Sequence, residues 1–234
     1  MITIKSTPRS LGLAAVYLAA ALVAAMIYFL VGTDYPSVTD PVAKIDLLVQ
    51  HQVGIQVAYL VAYVAFGLVL AVLAVGLHPR LASAAPAAAG AASAVGLLWA
   101  GMLVASGLIY IYGMGSVVDL QAADPAAAVA AWQAIEPVAL GLGGDGGEVL
   151  GGTWVLLVSV VSLRGHLLPA WLNWLGLVVG TAGIVSTVTG VVVASVVFGL
   201  LVIVWFAGLG ISLLREVPAG DAQAHAKPLV GAAG

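Results

Sequence analysis

The chain has 234 residues, 63% of them hydrophobic and 7% charged, with a mean hydropathy of +1.17. A soluble domain carries roughly a quarter charged residues, so this composition excludes one and calls for a bilayer. Seven Lys+Arg against ten Asp+Glu leave a net charge of −3 and no basic patch for nucleic acid, and the absence of cysteine excludes disulfides, thiolate metal sites and cysteine nucleophiles.

A short tail with Lys5, Arg9 and a candidate N-cap at Ser10 precedes an uncharged run over 11–31, the first expected span. The basic flank and small residues also resemble a signal peptide, but the apolar run exceeds a usual signal core, which favours a retained helix. In the polar loop that follows, Asp40-Pro41 reads as an N-cap with proline at N1. Val42, Ile45 and Val49 then recur on one side, as in a short helix lying on the membrane interface. The second span, 53–77, carries a polar and aromatic stripe of Gln52, Gln56, Tyr59, Tyr63 and Phe66 just after His51, and ends before His78-Pro79-Arg80.

The third span is 86–112, with Trp99, Ser106 and Tyr110 on one face. A second polar loop, 113–136, repeats the Asp-Pro device at Asp124-Pro125 and predicts another short surface helix with Trp132. The fourth span is 146–163, its start blurred by the glycines of GGDGG. The fifth, 171–189, aligns Asn173, Gly176, Gly180, Gly183 and Thr187, which lets another backbone approach closely. Gly190 reads as the turn into the sixth span, 191–214, and residues 217–234 read as a disordered tail.

The expected fold is therefore an all-α bundle of six transmembrane helices with two short interfacial helices, forming one domain. With both termini cytoplasmic, Lys5, Arg9, Arg80, Arg164, Arg215 and Lys227 lie inside and only Lys44 outside, as the positive-inside rule requires of a cell-membrane protein.

The stretch GGDGGEVLGGTW places Asp145 and Glu148 at the start of the fourth span. On a helix they share a face with Gly152 and Ser159, and Trp154 falls opposite. Measured from Arg164, Glu148 lies ~24 Å along the axis, several ångströms inside a ~30 Å hydrocarbon layer. Acids at such depth turn toward a cavity or a partner. The second half, GGEVLGGTWVLLVSVVSLRGHLLPAWLNWLGLVVGTAGI and later VFGLLVIVWFAGLGISLLR, resembles a bacterial family of small polytopic membrane proteins known only as a domain of unknown function. Glu148, Gly151-Gly152, Trp154, Arg164, Pro169, Leu175-Gly176, Gly180, Phe198-Gly199 and Trp205-Phe206 carry the likeness over 146–215. It implies a membrane location and a helical fold, and supplies no catalytic residue.

Two readings of the acids stand side by side. Glu148, with Asp145, is either the catalytic acid/base or proton carrier of an intramembrane site, or a helix-start carboxylate offsetting the macrodipole. His51, Gln52, Gln56, Tyr59, Tyr63, Ser106 and Tyr110 either line an outward-facing pocket for a small lipophilic or amphipathic ligand or bond across helices. A divalent site from Asp145, Glu148 and His51 needs ligands on separate elements, and no histidine lies mid-membrane for a b-type haem, so neither metal nor cofactor is expected. A ligand-binding membrane protein is the leading reading. The alternatives are a subunit or scaffold that docks a membrane partner or a second copy through the glycine faces of the last two helices, and a small proton-coupled transporter.

Overall fold

The computed structural model describes residues 7–189 and 192–216, and all the secondary structure in them is helical. The start of the tail, the turn at Gly190 and residues 217–234 lie outside the described residues. Helix α1 spans Pro8–Ile27 and passes into a π-helical turn, Tyr28–Gly32. Its N-cap is Thr7, whose hydroxyl accepts the Ser10 N–H at 3.2 Å, so Ser10 sits inside the first turn and is not the cap.

Helix α2, Pro41–Gln50, starts where the Asp-Pro pair requires: Asp40 accepts the Ala43 N–H at 2.8 Å. Its inward face differs from the expected one. Ile45 and Leu48 are fully buried, while Val42 and Val49 are exposed. After His51, α3 covers Gln52–Tyr59, a π-helical turn covers Leu60–Ala65, and α4 covers Phe66–Ala84. The rod does not end before His78. Pro79 contributes no N–H, yet the helix continues past it because Leu77 and Leu81 both bury against the core. His78 Nδ1 hydrogen-bonds the Ser93 hydroxyl of the next helix at 3.0 Å.

Helix α5, Pro86–Gln121, is 36 residues long, or ~54 Å, well beyond a ~30 Å hydrocarbon layer. Residues 113–121 are therefore helix and not loop: Met114 and Val117 are buried against the segments around α2 and α6. Asp124 then caps α6, accepting the Ala127 N–H at 3.0 Å. This α6, Pro125–Gly143, is 19 residues long and runs back along α5, in place of a short surface helix. A short 3₁₀ turn, Asp145–Gly147, leads to α7, Glu148–Gly165; α8, Ala170–Thr189, and α9, Val192–Leu214, follow.

Six rods are long and apolar enough to cross a membrane: Pro8–Gly32, Gln52–Ala84, Pro86–Gln121, Pro125–Gly165, Ala170–Thr187 and Val193–Leu214. They close a ring. α1 packs between α4 and α9, α5 joins α4 to α7, and α8 completes the circuit between α7 and α9. Phe66, Trp99, Trp154, Trp205 and Phe206 meet at its centre, with neighbouring ring centroids from 5.4 to 6.4 Å apart. Lipid competes with these side chains for apolar contact, so close packing of such rings supplies cohesion that burial alone does not. The outer faces carry exposed apolar side chains, such as Leu68, Val72 and Val75 on α4 and Val196, Leu200 and Val204 on α9. Trp171 and Trp174, at 54% and 61% exposure, are outward-facing as belt residues are.

Arg9, Arg80, Arg164 and Arg215 share one end of the ring. Arg80 forms a two-pronged pair with Glu216, at 2.8 and 2.7 Å, Gly12 of α1 lies against Leu214 of α9, and Gly165 of α7 lies against Ala84 of α4. At the other end α2, α3, the end of α5 and α6 build a cap around a separate core of Ile45, Leu48, Ile55, Tyr110, Met114 and Trp132.

Candidate functional site

The site grows from the interruption of the fourth rod. α6 stops at Gly143, and the chain turns through Gly144–Gly147 with Gly144 N–H bonded to the Leu140 carbonyl at 3.0 Å and Gly147 N–H to the Gly144 carbonyl at 2.9 Å. Gly146 passes directly over the backbone of Gly141, leaving no room for a Cβ. That close approach is why the motif is built of glycines. Asp145 begins the short turn and Glu148 begins α7.

Helical spacing carries Glu148, Gly152 and Ser159 along one side of α7, and that side faces α8. A Cβ on Gly152 would stand 2.7 Å from the Gly180 carbonyl oxygen, Gly183 lies against the Glu148 carbonyl, and Gly176 lies against Ser159. Trp154 points the other way, into the aromatic centre. The glycine face of α8 is thus spent inside the chain, on α7. On α9, Gly210 is likewise packed against α1, whereas Gly199 has open space beside it.

At the head of this seam the Ser186 hydroxyl donates to Glu148 Oε2. Ser186 is buried and Glu148 half-buried. Helical spacing of the fifth span singled out Thr187 and passed over Ser186. The available signal was the register of an antiparallel α7–α8 pair: with Gly152 set against Gly183, Glu148 falls level with Thr187, and the adjacent Ser186 takes the bond.

The Gln/Tyr stripe lies on another side. Tyr59 and Tyr110 stack with centroids 4.1 Å apart, and Tyr63 packs edge-on against both at 5.4 and 5.8 Å. Ser106 is fully buried and donates to the Ala139 carbonyl at 2.7 Å. His51, Gln52 and Gln56 are half-buried at the cap end of the same rod. Tyr63 and Ser106 touch the interruption at Gly143, so the stripe and Glu148 flank the same break from different helices. The Glu148 carboxylate accepts from Ser186 of α8.

One acid was misassigned to a loop. Glu136, on α6, accepts the Tyr35 hydroxyl at 2.6 Å and pairs with Lys44 at 3.5 Å, while Lys44 also sits 4.5 Å above the Tyr35 ring. Burial, then the hydrogen bond and negative charge of Glu136, push the Tyr35 hydroxyl well above its ordinary value, so it stays a donor. The Trp132 indole N–H, beyond hydrogen-bonding geometry, offsets part of that rise. Tyr35 and Lys44 come from segments remote in sequence, so no local pattern announces this group.

Six apolar rods, sealed by an aromatic centre and clad in exposed valine and leucine, make this a multi-pass membrane protein. No family model matches the chain, and comparison with curated proteins and with solved structures returns no match.

Proposed function

We propose that the chain is a six-span protein of the cell membrane with both termini cytoplasmic, and that its function centres on Glu148. The orientation is supported by the four described arginines at one end of the ring and Lys44 at the other. The function is to hold a small lipophilic or amphipathic ligand beside the interruption of the fourth rod, with the carboxylate of Glu148 binding its polar end. The observation that carries this reading is the Ser186–Glu148 hydrogen bond at a glycine-built helix break within an apolar rod. Non-helical backbone at membrane depth is tolerated where protein covers it or where it lines a cavity, and acids there mark binding or proton pathways. Where chemistry follows binding, Glu148 is the acid/base group.

Native mass spectrometry of gently extracted wild type and Glu148→Gln is the test. A small molecule retained by the wild type and lost from a folded variant supports the reading; equal retention, or none in either, refutes it. The break also favours a second reading, proton-coupled transport, because interrupted helices commonly build transporter sites. Proton-driven uptake into vesicles, abolished by Glu148→Gln, would select it.

A further inference from the structure

Four stretches of chain join the cap to the ring, and three of them leave the α-helix at the join. The first passes from α1 through the π-helical turn Tyr28–Gly32, the second from α3 through Leu60–Ala65 into α4, and the fourth from α6 through Asp145–Gly147 into α7. The third, α5, runs through without a break. The interruptions of the second and fourth rods also stand level with each other. Tyr63, within the π-helical turn, and Ser106 of α5 both touch Gly143, and Gly107 of α5 lies against Tyr63 and Val64. Glycines and π-helical or 3₁₀ turns inside long rods are the places where helices kink and hinge.

Each side of this level holds together by itself. The cap has its own core around Ile55, Met114 and Trp132, and Glu136 staples α6 to Tyr35 and to Lys44 of α2. On the ring side, the Tyr17 hydroxyl of α1 donates to the Val61 carbonyl at 3.1 Å and ties the π-helical turn to the ring. α6 packs along α5 and against α2, and reaches α7 and α8 by way of the turn Asp145–Gly147. A body with its own core, joined through kinkable turns at one level, moves as a unit. We propose that the cap is a hinged lid, pivoting about the level of Tyr63, Ser106 and Gly143 with α5 as its one continuous support. Gly146 lying over the Gly141 backbone is its closed contact. The role of opening rests on the Glu148 ligand site proposed above: the moving lid parts that contact and admits the ligand to the carboxylate from the cap side.

The chain has no cysteine, so paired spin labels can be introduced at chosen sites. Labels at Ala126 of α6 and Val193 of α9 span lid and ring, and labels at Val49 of α2 and Ala126 lie within the lid; all three positions are exposed. A kink of about 20° swings the far end of α6, ~28 Å from the break, by about 10 Å. Gly146→Ala sets a methyl against the Gly141 main chain, which no rotamer change relieves, and so wedges the lid open. Double electron–electron resonance on the full chain in nanodiscs should show the lid–ring distance of Gly146→Ala shifted by about 5 Å or more, the part of that swing seen along one line. The distance within the lid should stay at its wild-type value. An unshifted lid–ring distance in folded Gly146→Ala overturns the proposal, as does a distance within the lid that changes as much. Hydrogen exchange on wild type covers the case of a variant that does not fold. Amides of 60–65 and 143–148 should open together, at one rate roughly tenfold faster than those of 107–114 in α5 and 128–135 in α6. Different rates at the two interruptions, or rates as slow as those of α5, overturn it. Neither readout needs a ligand, so a lid that does not move is distinguishable from a Glu148 site that does not bind.

Discussion

The α7–α8 seam makes Gly152→Ala a sharp perturbation. The added methyl would lie 2.7 Å from the Gly180 carbonyl oxygen and 3.1 Å from backbone atoms of Gly183. Those neighbours are main chain, so no rotamer change relieves the clash, and the helices must separate by several tenths of an ångström. Overpacking of this kind costs about 1–3 kcal/mol. At ~2–4 °C per kcal/mol for a chain of this size, the thermal midpoint should fall by about 2–12 °C. Gly199→Ala is the matched control: the same methyl on a helix meets nothing within 4 Å, and helix propensity makes it neutral or stabilising by about 0.5–1 kcal/mol. Thermal unfolding of the two variants in one detergent reads the difference. Equal midpoints would refute the claim that α7 and α8 meet backbone to backbone. The seam also sets the spacing between Glu148 and Ser186, so ligand retention should weaken in Gly152→Ala and survive in Gly199→Ala.

Tyr35 makes the stability of the cap pH-dependent. Its hydroxyl titrates above the ordinary value of 10.0 when folded, so above about pH 10 the unfolded chain loses a proton that the folded one keeps, and stability falls as pH rises. Hydrogen exchange across α2 should show protection declining above that pH more steeply in wild type than in Tyr35→Phe; identical profiles would remove Tyr35 as the cause. The Arg80–Glu216 pair is 30% and 38% exposed, so a double-mutant cycle should return no more than about 1 kcal/mol despite the two-pronged geometry. The absence of cysteine makes orientation directly measurable: a single cysteine at Arg164 should react with membrane-impermeant maleimide only after lysis, and one at Asp46 in intact cells, and the reverse pattern would invert the proposed topology.

The spans were legible because apolar runs between charged punctuation are a local property of the sequence. Their ends were not. Residues 113–121 look like loop until Met114 and Val117 are seen against Ile45 and Leu48, contacts made far along the chain. Proline at position 79 reads as a stop, yet tertiary burial of Leu81 carries the helix through it. At the site, the shared side of Glu148, Gly152 and Ser159 followed from helical spacing alone, whereas the direction in which it faced depended on α8. Glu136 was opaque for the same reason: its partners Tyr35 and Lys44 stand 101 and 92 residues before it.

The ring closes where α1 meets α9, and that contact has a consequence for biogenesis. During synthesis α1 enters the bilayer long before its neighbour exists, and until α9 emerges it leans on the second rod, α4 with the π-helical turn before it. The small faces at Gly12 and Gly210, which let the two backbones touch, act as a latch thrown last. A ribosome stalled before α9 would leave the nascent ring open to lipid along one side, with Leu11, Ala15 and Leu18 presented to whatever membrane chaperone inspects unfinished chains.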